Sequence, residues 1–284
     1  MAAKLLKGAD VVNAMSEKVK AQVEALAAKG VTPTLAILRV GEKDADISYE
    51  RGATKRCSEL GVAVKKVLLP VDVSQADLLA ALSDLNNDDS VHGILMFRPL
   101  PEHLDGEAIR NALSPAKDID GITNASMGRI FTGSGDGFVP CTAQAVIEIL
   151  DYYGVEIQGK NAVVIGHSLV VGRPVSTLLL GRNAHVTTGH VFSKDVPTYA
   201  KMADIIVVAV GRAGLVDAKY LAEGQIIIDV GINVNAEGKL CGDVAFDQAD
   251  PVVEAITPVP GGVGTVTTNV LVSHVVEAAV RANA

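Results

Sequence analysis

Two glycine-rich segments in the second half of the chain have the composition of ligand-binding loops. One is Thr257–Gly264, which holds two prolines and three glycines in eight residues. Such a run neither continues a helix nor forms a central strand. Because glycine has no Cβ, a flat ligand can approach this kind of backbone closely. We expect the loop to be the wall of a ligand site, with an ordinary surface turn as the alternative.

The other segment is Gly166–Pro174, which directly follows the apolar run Val163–Ile165. Gly166 would allow a tight turn, and the N–H groups that follow it would bind a pyrophosphate. The spacing Gly-x-Ser-x-x-x-Gly differs from the usual dinucleotide pattern, so a plain strand-to-helix turn is the alternative. Residues 185–193, where an acid or an Arg often contacts the ribose 2′ position, contain neither. Among nearby side chains, His167 and His190 offer only partial charge to a 2′-phosphate.

Strand and helix signals alternate along most of the chain, as in parallel sheets covered by helices. The pattern predicts helices at 9–29, 46–60, 74–86, 142–153, 172–182 and 268–282. It predicts strands at 33–40, 62–69, 91–97, 161–165, 184–188, 205–209 and 226–230, and a loop at 121–137. We therefore predict an α/β protein with two parallel-sheet domains. Residues 1–140 would form the first, residues 141–267 a Rossmann-type dinucleotide-binding domain, and the helix within 268–284 would pack back onto the first.

The bulk composition favours a cytoplasmic enzyme or binding protein. The net charge of −8 and the absence of Trp argue against a nucleic-acid partner. No apolar run reaches the roughly 18 residues that cross a bilayer, and the first residues do not resemble an export signal. Three widely spaced cysteines suggest neither disulfides nor a metal site, so we expect no metal.

Taken together, these segments resemble the methylenetetrahydrofolate dehydrogenase/cyclohydrolase family over essentially the whole chain. The motifs that carry the resemblance are Thr257–Gly264, Gly166–Pro174, Pro115–Gly121, Pro140–Thr142 and Tyr49. The resemblance implies a folate substrate in a cleft between two domains, a nicotinamide cofactor (NAD or NADP) on the second domain, and a homodimer. It also implies oxidation of 5,10-methylenetetrahydrofolate to the methenyl form, which most members then hydrolyse to 10-formyltetrahydrofolate.

The resemblance assigns folate-site residues, with two departures from the family pattern. Tyr49 matches the family's Tyr, and Asp120 matches its folate-binding acid. The catalytic Lys expected four residues after the Tyr is Ala53, and the Gln expected after the third strand is Phe97. Lys55 is a doubtful substitute, because it lies about 200° around the helix from position 53.

The resemblance also assigns the cofactor site and the ring junction. In members that use NADP, a basic or hydroxyl residue meets the 2′-phosphate, and the matching positions here are His167 and Val191. Because neither carries a fixed positive charge, we expect a modest preference for NAD, although Arg173 or His190 would still allow NADP. The expected cofactor contacts are Gly166, His167, Ser168, Gly172, Arg173, His190, Val191 and Ile232. The nicotinamide and the folate are expected to meet at Pro260, Gly261 and Gly262.

We expect these departures to affect hydrolysis more than hydride transfer. Hydride transfer needs mainly the placement of two carbons, whereas hydrolysis needs an activated water. The hypothesis is a dehydrogenase with weak or absent cyclohydrolase activity. One alternative keeps both activities through a base relocated to Lys55 or Arg56. Another is a non-catalytic protein that binds nucleotide or folate.

Overall fold

The computed structural model describes residues 2–284, which contain short and long helices interleaved with strands. The strands are β1 Lys4–Leu5, β2 Thr34–Val40, β3 Ala63–Leu69, β4 Gly93–Met96, β5 Asn161–Ile165, β6 His185–Gly189, β7 Ile205–Val208, β8 Ile226–Asp229, β9 Asn233–Val234, β10 Leu240–Cys241 and β11 Ala255–Ile256. The α-helices are α1 Gly8–Ala27, α2 Asp44–Glu59, α3 Gln75–Asn87, α4 Gly106–Ala112, α5 Asn124–Thr132, α6 Cys141–Tyr152, α7 Gly172–Gly181, α8 Val196–Lys201, α9 Phe246–Ala249 and α10 Val263–Ala282. A 3₁₀ turn covers Pro115–Lys117.

One compact unit consists of Ala14–Cys141 and Thr268–Ala284, and we call it the three-stranded unit. Its sheet has the order β3-β2-β4, and both pairs are parallel. β2 lies in the centre and is buried along nearly its whole length, which fits its apolar stretch Leu35–Leu38. Most of the last helix, from Thr268 onward, belongs to this unit.

The other compact unit, the six-stranded unit, consists of the described residues up to Asn13 and Thr142–Thr267. Its sheet is parallel throughout, with the order β1-β11-β8-β7-β5-β6. A small antiparallel pair, β9 with β10, lies outside this sheet. The prediction of an α/β protein with two parallel-sheet domains is confirmed.

The N-terminal segment differs from the sequence-based assignment, which gives residues 1–13 to the first domain. Lys4 and Leu5 pair in parallel with Ala255 and Ile256, so they extend the six-stranded sheet. A strand of two residues has too little periodicity to be recognised in the sequence.

The predicted loop at 121–137 also differs, because it contains α5. Thr123 caps the start of this helix by accepting a hydrogen bond from Ser126 N, and Gly133 ends it with φ +73°. Both are ordinary helix-boundary signals. The Gly and Ser content of the surrounding residues conceals them in the sequence.

The helix α10 is long and apolar enough to cross a membrane, with a mean hydropathy of 1.3 over its most apolar window. It is the one such helix among residues 2–284, and 61% of that window is buried inside the protein. A buried core helix has the same composition, so α10 needs no membrane to account for it.

Candidate active site

Tyr49 stands on α2 within the three-stranded unit, beside two apolar side chains. Ala53, one turn further along α2, is fully buried. The Phe97 ring meets the Tyr49 ring edge to face, with 5.9 Å between their centroids. Burial and then the nearby Asp120 and Cys141 raise the pKa of Tyr49, while a hydrogen bond with Thr268 opposes them. The phenol is therefore neutral and can donate a hydrogen bond.

Asp120 follows β4 in the chain and lies near Tyr49. Desolvation raises the pKa of its carboxyl to about 6, with a further rise from Asp118. The Arg98 charge and a hydrogen bond from Cys141 act in the opposite direction. Asp120 is thus ionised at neutral pH, but a moderate acidification protonates it.

The turn that carries Asp120 is held by its neighbours on both sides. The buried Asp118 carboxylate accepts hydrogen bonds from Ile122 N at 2.9 Å, Thr123 N at 2.8 Å and Ser126 Oγ at 2.6 Å. Gly121 has φ +68°, and a Cβ there would come within 2.5 Å of neighbouring backbone. Asp118 therefore shapes the loop, while the backbone fixes where Asp120 can point.

Lys55 and Arg56 are not brought together with Tyr49. The Lys55 side chain is 79% exposed and lies 4.0 Å from Glu59. Arg56 is bound to Asn269 Oδ1 at 2.7 and 2.9 Å and to Glu59 at 2.8 Å. Neither cation occupies the space beside the Tyr49 phenol.

In the six-stranded unit, the glycine turn joins β5 to α7 and is too compact for larger residues. Gly166 has φ +123°, and a Cβ there would lie 2.2 Å from Ala209 O. A Cβ on Gly172 would lie 2.1 Å from Gly166 O. His167 and Ser168 are exposed at the tip of the turn. A phosphate group fits such a turn, because exposed backbone precedes a helix N-terminus.

The end of β6 places several predicted cofactor residues beside the turn. The rings of His167 and His190 lie 4.8 Å apart by their centroids. Arg173 Nε donates to His167 O at 3.0 Å, so its guanidinium is tied to the turn. Val191 is 78% exposed. No ion pair among residues 2–284 joins either imidazole to a carboxylate.

Two further features of the six-stranded unit that we predict to contact ligand, Ile232 and the Pro-Gly loop, are exposed to solvent. Ile232, after β8, is 63% exposed. The predicted loop 257–264 is shorter in the structure, because α10 begins at Val263; in the loop 257–262, Pro260 and Gly261 are exposed, and Gly261 has φ +102°. Gly8 N donates to Gly261 O at 2.8 Å and holds this loop. The backbone of this loop is held in place, and its exposed residues Pro260 and Gly261 leave a surface against which a flat ring can pack.

Sequence reasoning missed two buried carboxylates that hold the neighbouring loops. Asp243 accepts from Val210 N at 2.7 Å, Gly211 N at 3.0 Å and Arg212 N at 2.8 Å. Asp229 accepts from Gly231 N, Asp243 N and Val244 N, and burial raises its pKa to about 6. The sequence contains no spacing rule for such contacts.

Sequence reasoning also missed Arg98, Thr268 and His274 on the Asp120 side and assigned Cys141 only a packing role. The signals that could have found them are weak, since a lone Cys or His in an apolar segment is usually part of the core. Within residues 2–284, no three His, Cys, Asp or Glu side chains cluster in a way that could hold a metal ion.

Comparison with known proteins identifies the family of both units. The model of the catalytic domain of tetrahydrofolate dehydrogenase/cyclohydrolase matches residues 6–120, and the model of its NAD(P)-binding domain matches residues 140–283. The Bifunctional protein FolD of Alkaliphilus metalliredigens is 47% identical over 279 residues, which cover 98% of each chain.

Solved structures agree with these matches. The bifunctional FolD enzyme of Campylobacter jejuni superposes with a TM-score of 0.96 and 38% identity, covering 99% of both chains. The Trypanosoma brucei FolD enzyme, solved with NADP and an inhibitor, has a TM-score of 0.92 and 34% identity, covering 99% of this chain and 98% of that one. On these sequence and structural matches, the chain belongs to the tetrahydrofolate dehydrogenase/cyclohydrolase family.

Proposed function

We propose that this protein oxidises 5,10-methylenetetrahydrofolate to 5,10-methenyltetrahydrofolate by hydride transfer to NAD(P), with weak or absent cyclohydrolase activity. The observation that carries the proposal is that two apolar residues, Ala53 and Phe97, stand near Tyr49 at the positions where we expect the family's Lys and Gln. Neither position 53 nor position 97 provides an amine or an amide that could activate a water beside Tyr49.

The dehydrogenase half of the proposal is supported by the residues that the chain retains. We infer that the Asp120 carboxylate accepts hydrogen bonds from the amino edge of the pterin, and charge assistance makes such bonds strong. The neutral Tyr49 donates a hydrogen bond near the reacting carbon bridge. Bound nicotinamide supplies the hydride acceptor, and the folate nitrogens stabilise the cation that develops, so no protein base is required.

The cofactor half rests on backbone rather than on side-chain charge. The fit of the Gly166–Gly172 turn to a pyrophosphate supports a dinucleotide, as do the exposed Val191 and Ile232 side chains. We infer a modest preference for NAD, since the two side chains at the expected 2′ position are an imidazole and an isopropyl group. The ratio of kcat/KM for NADP and NAD measures this preference directly, and a large NADP preference contradicts it.

A retained cyclohydrolase would require a relocated base, and a non-catalytic binding protein would require loss of hydride transfer. The exposure of Lys55 and the hydrogen bonds of Arg56 weigh against the first alternative. The retained Asp120, glycine turn and Pro-Gly loop weigh against the second.

The test follows formation and decay of the methenyl product by absorbance, with 5,10-methylenetetrahydrofolate and either NAD or NADP. We expect methenyl-tetrahydrofolate to accumulate and then decay no faster than in buffer. Decay accelerated in proportion to enzyme concentration contradicts the weak cyclohydrolase. Binding of both ligands without any methenyl formation contradicts the dehydrogenase.

A further inference from the structure

His274 is a buried histidine whose contacts lead to the carbonyl just before Asp120. It lies on α10, is 7% exposed, and has its Nδ1 atom 2.8 Å from Ile119 O. A carbonyl oxygen can only accept, so the Nδ1 atom must carry the proton. The imidazole is therefore a hydrogen-bond donor to the turn that presents Asp120.

The Cys141 thiol reaches the same place from α6. Its Sγ atom lies 3.1 Å from Ile119 O and 3.7 Å from His274 Nδ1, and it also forms a hydrogen bond with Asp120. The Ile119 carbonyl oxygen has two lone pairs, so it accepts from the Cys141 thiol and from the His274 imidazole at the same time. The carbonyl that precedes Asp120 is therefore held by both side chains.

The surroundings of His274 keep the imidazole neutral and its orientation fixed. Burial lowers its pKa, and Arg281 and Arg129 lower it further, whereas the Ile119 bond and Glu277 raise it. The centroid of the Phe138 ring lies 5.0 Å from that of the imidazole. The Arg281 guanidinium lies over the same Phe138 ring, 4.4 Å from its centroid. An uncharged, packed donor of this kind is suited to hold the Ile119 carbonyl in place.

We propose that His274 is a positioning residue for Asp120: by donating to the Ile119 carbonyl, beside the Cys141 thiol, it holds the turn that presents Asp120 and thereby fixes the direction in which this carboxylate meets the pterin. The inference rests on the proposed role of Asp120 in folate binding. His274 itself touches neither substrate nor cofactor in this account.

The test measures steady-state kinetics and melting temperature for His274→Leu, His274→Asn and His274→Gln. We expect His274→Leu to lower kcat/KM for methylenetetrahydrofolate about five- to tenfold, the size of one neutral hydrogen bond, with KM for NAD unchanged. Asn places an amide N–H near the position of Nδ1 and should restore most of the loss. The longer Gln side chain extends past that position and should not restore kcat/KM. If His274→Leu impairs folding, the comparison of His274→Asn with His274→Gln makes the same test.

His92→Leu is the matched control. His92 lies in the same unit, is also 7% exposed, and accepts a hydrogen bond from Thr34 N at 3.2 Å. Both Leu variants should lower the melting temperature, but His92→Leu should leave folate kinetics unchanged. Equal kinetic losses in the two variants overturn the proposal, because a purely structural role predicts them.

A double-mutant cycle with Asp120→Asn separates this proposal from the function on which it rests. If His274 acts through Asp120, His274→Leu has no further effect on folate kcat/KM in the Asp120→Asn background. A large effect of Asp120→Asn together with fully additive losses overturns the His274 proposal alone. If Asp120→Asn has no effect, the folate role of Asp120 and the proposal both fail.

Discussion

The two candidate binding regions are built from different parts of the chain. At the cofactor side, the main determinants are backbone: Gly166 and Gly172 fold into a turn that leaves no room for a Cβ. At the folate side, the proposed determinants are the side chains of Tyr49, Phe97 and Asp120. The departures that we expect from the family pattern, at positions 53 and 97, fall on this side-chain site, whereas the glycines of the proposed cofactor turn are retained.

This difference indicates how one fold can change its chemistry. Substituting a side chain such as that at position 53 or 97 alters local polarity and leaves the backbone in place. Substituting a glycine of the turn displaces the backbone itself. We therefore expect reaction steps to be tuned on the folate side, with cofactor binding preserved.

The largest expected effect comes from Gly166→Ala. A Cβ 2.2 Å from Ala209 O, at φ +123°, must shift the turn, and displacements of about 1 Å cost on the order of a hundredfold in rate. We expect kcat/KM for NAD to fall by about a hundredfold or more. The control is Gly181→Ala in α7, where a Cβ meets no atom within 4 Å. Similar kinetics in the two variants would refute a backbone-built cofactor site.

An effect of intermediate size is expected when the Lys and Gln of the expected family pattern are restored at positions 53 and 97. In Ala53→Lys/Phe97→Gln, we expect hydrolysis of methenyl-tetrahydrofolate to rise about ten- to a hundredfold, since a positioned base contributes at least that much. Dehydrogenase kcat should change little. Each single variant should gain less, because a lone buried Lys lacks a partner. If the double variant folds and its rate of hydrolysis is unchanged, the residues at positions 53 and 97 do not limit hydrolysis.

A smaller effect is expected from pH. The pKa of Asp120 is raised to about 6, so the carboxylate is lost as the pH falls through that value. We expect kcat/KM for folate to drop about tenfold between pH 7.5 and 5, while KM for NAD stays constant. Asp120→Asn should abolish the acid limb. It should also raise the melting temperature at pH 7.5, because a raised carboxyl pKa means that ionisation destabilises the folded state there.

The smallest expected effect is that of Lys55→Met. The Lys55 side chain is 79% exposed and lies 4.0 Å from Glu59 in a surface ion pair, so both activities should stay within about twofold of the parent. Measuring methenyl decay with this variant addresses the relocated base directly. A marked loss of hydrolysis would show that Lys55 reaches the substrate and that the folate side retains a base.

The sequence predicted the parallel sheets and the glycine turn because their signals are local. The buried run of β2 and the turn after β5 each lie within one stretch of chain. The contact between the Phe97 and Tyr49 rings was not predicted, because the resemblance identifies the two positions without stating that their side chains meet.

The contacts around Asp120 could not be predicted in the same way. Ile119, Cys141 and His274 are distant in sequence and meet only in the folded three-stranded unit, so no periodicity relates them. The carboxylates of Asp229 and Asp243 are similar, because their partners are backbone N–H groups that carry no sequence signature. Two-residue strands such as β1 could not be predicted for a different reason, because they are too short to show a periodicity.

The pairing of β1 with β11 has a consequence for the order in which the protein is made. Lys4 and Leu5 are synthesised before every other strand of the six-stranded sheet, whereas their partners Ala255 and Ile256 are synthesised after every other strand. The strand β1 therefore cannot dock at the edge of the sheet until β11 has been made, and such long-range closure is slow. During translation, β1 remains without its sheet partner until β11 emerges.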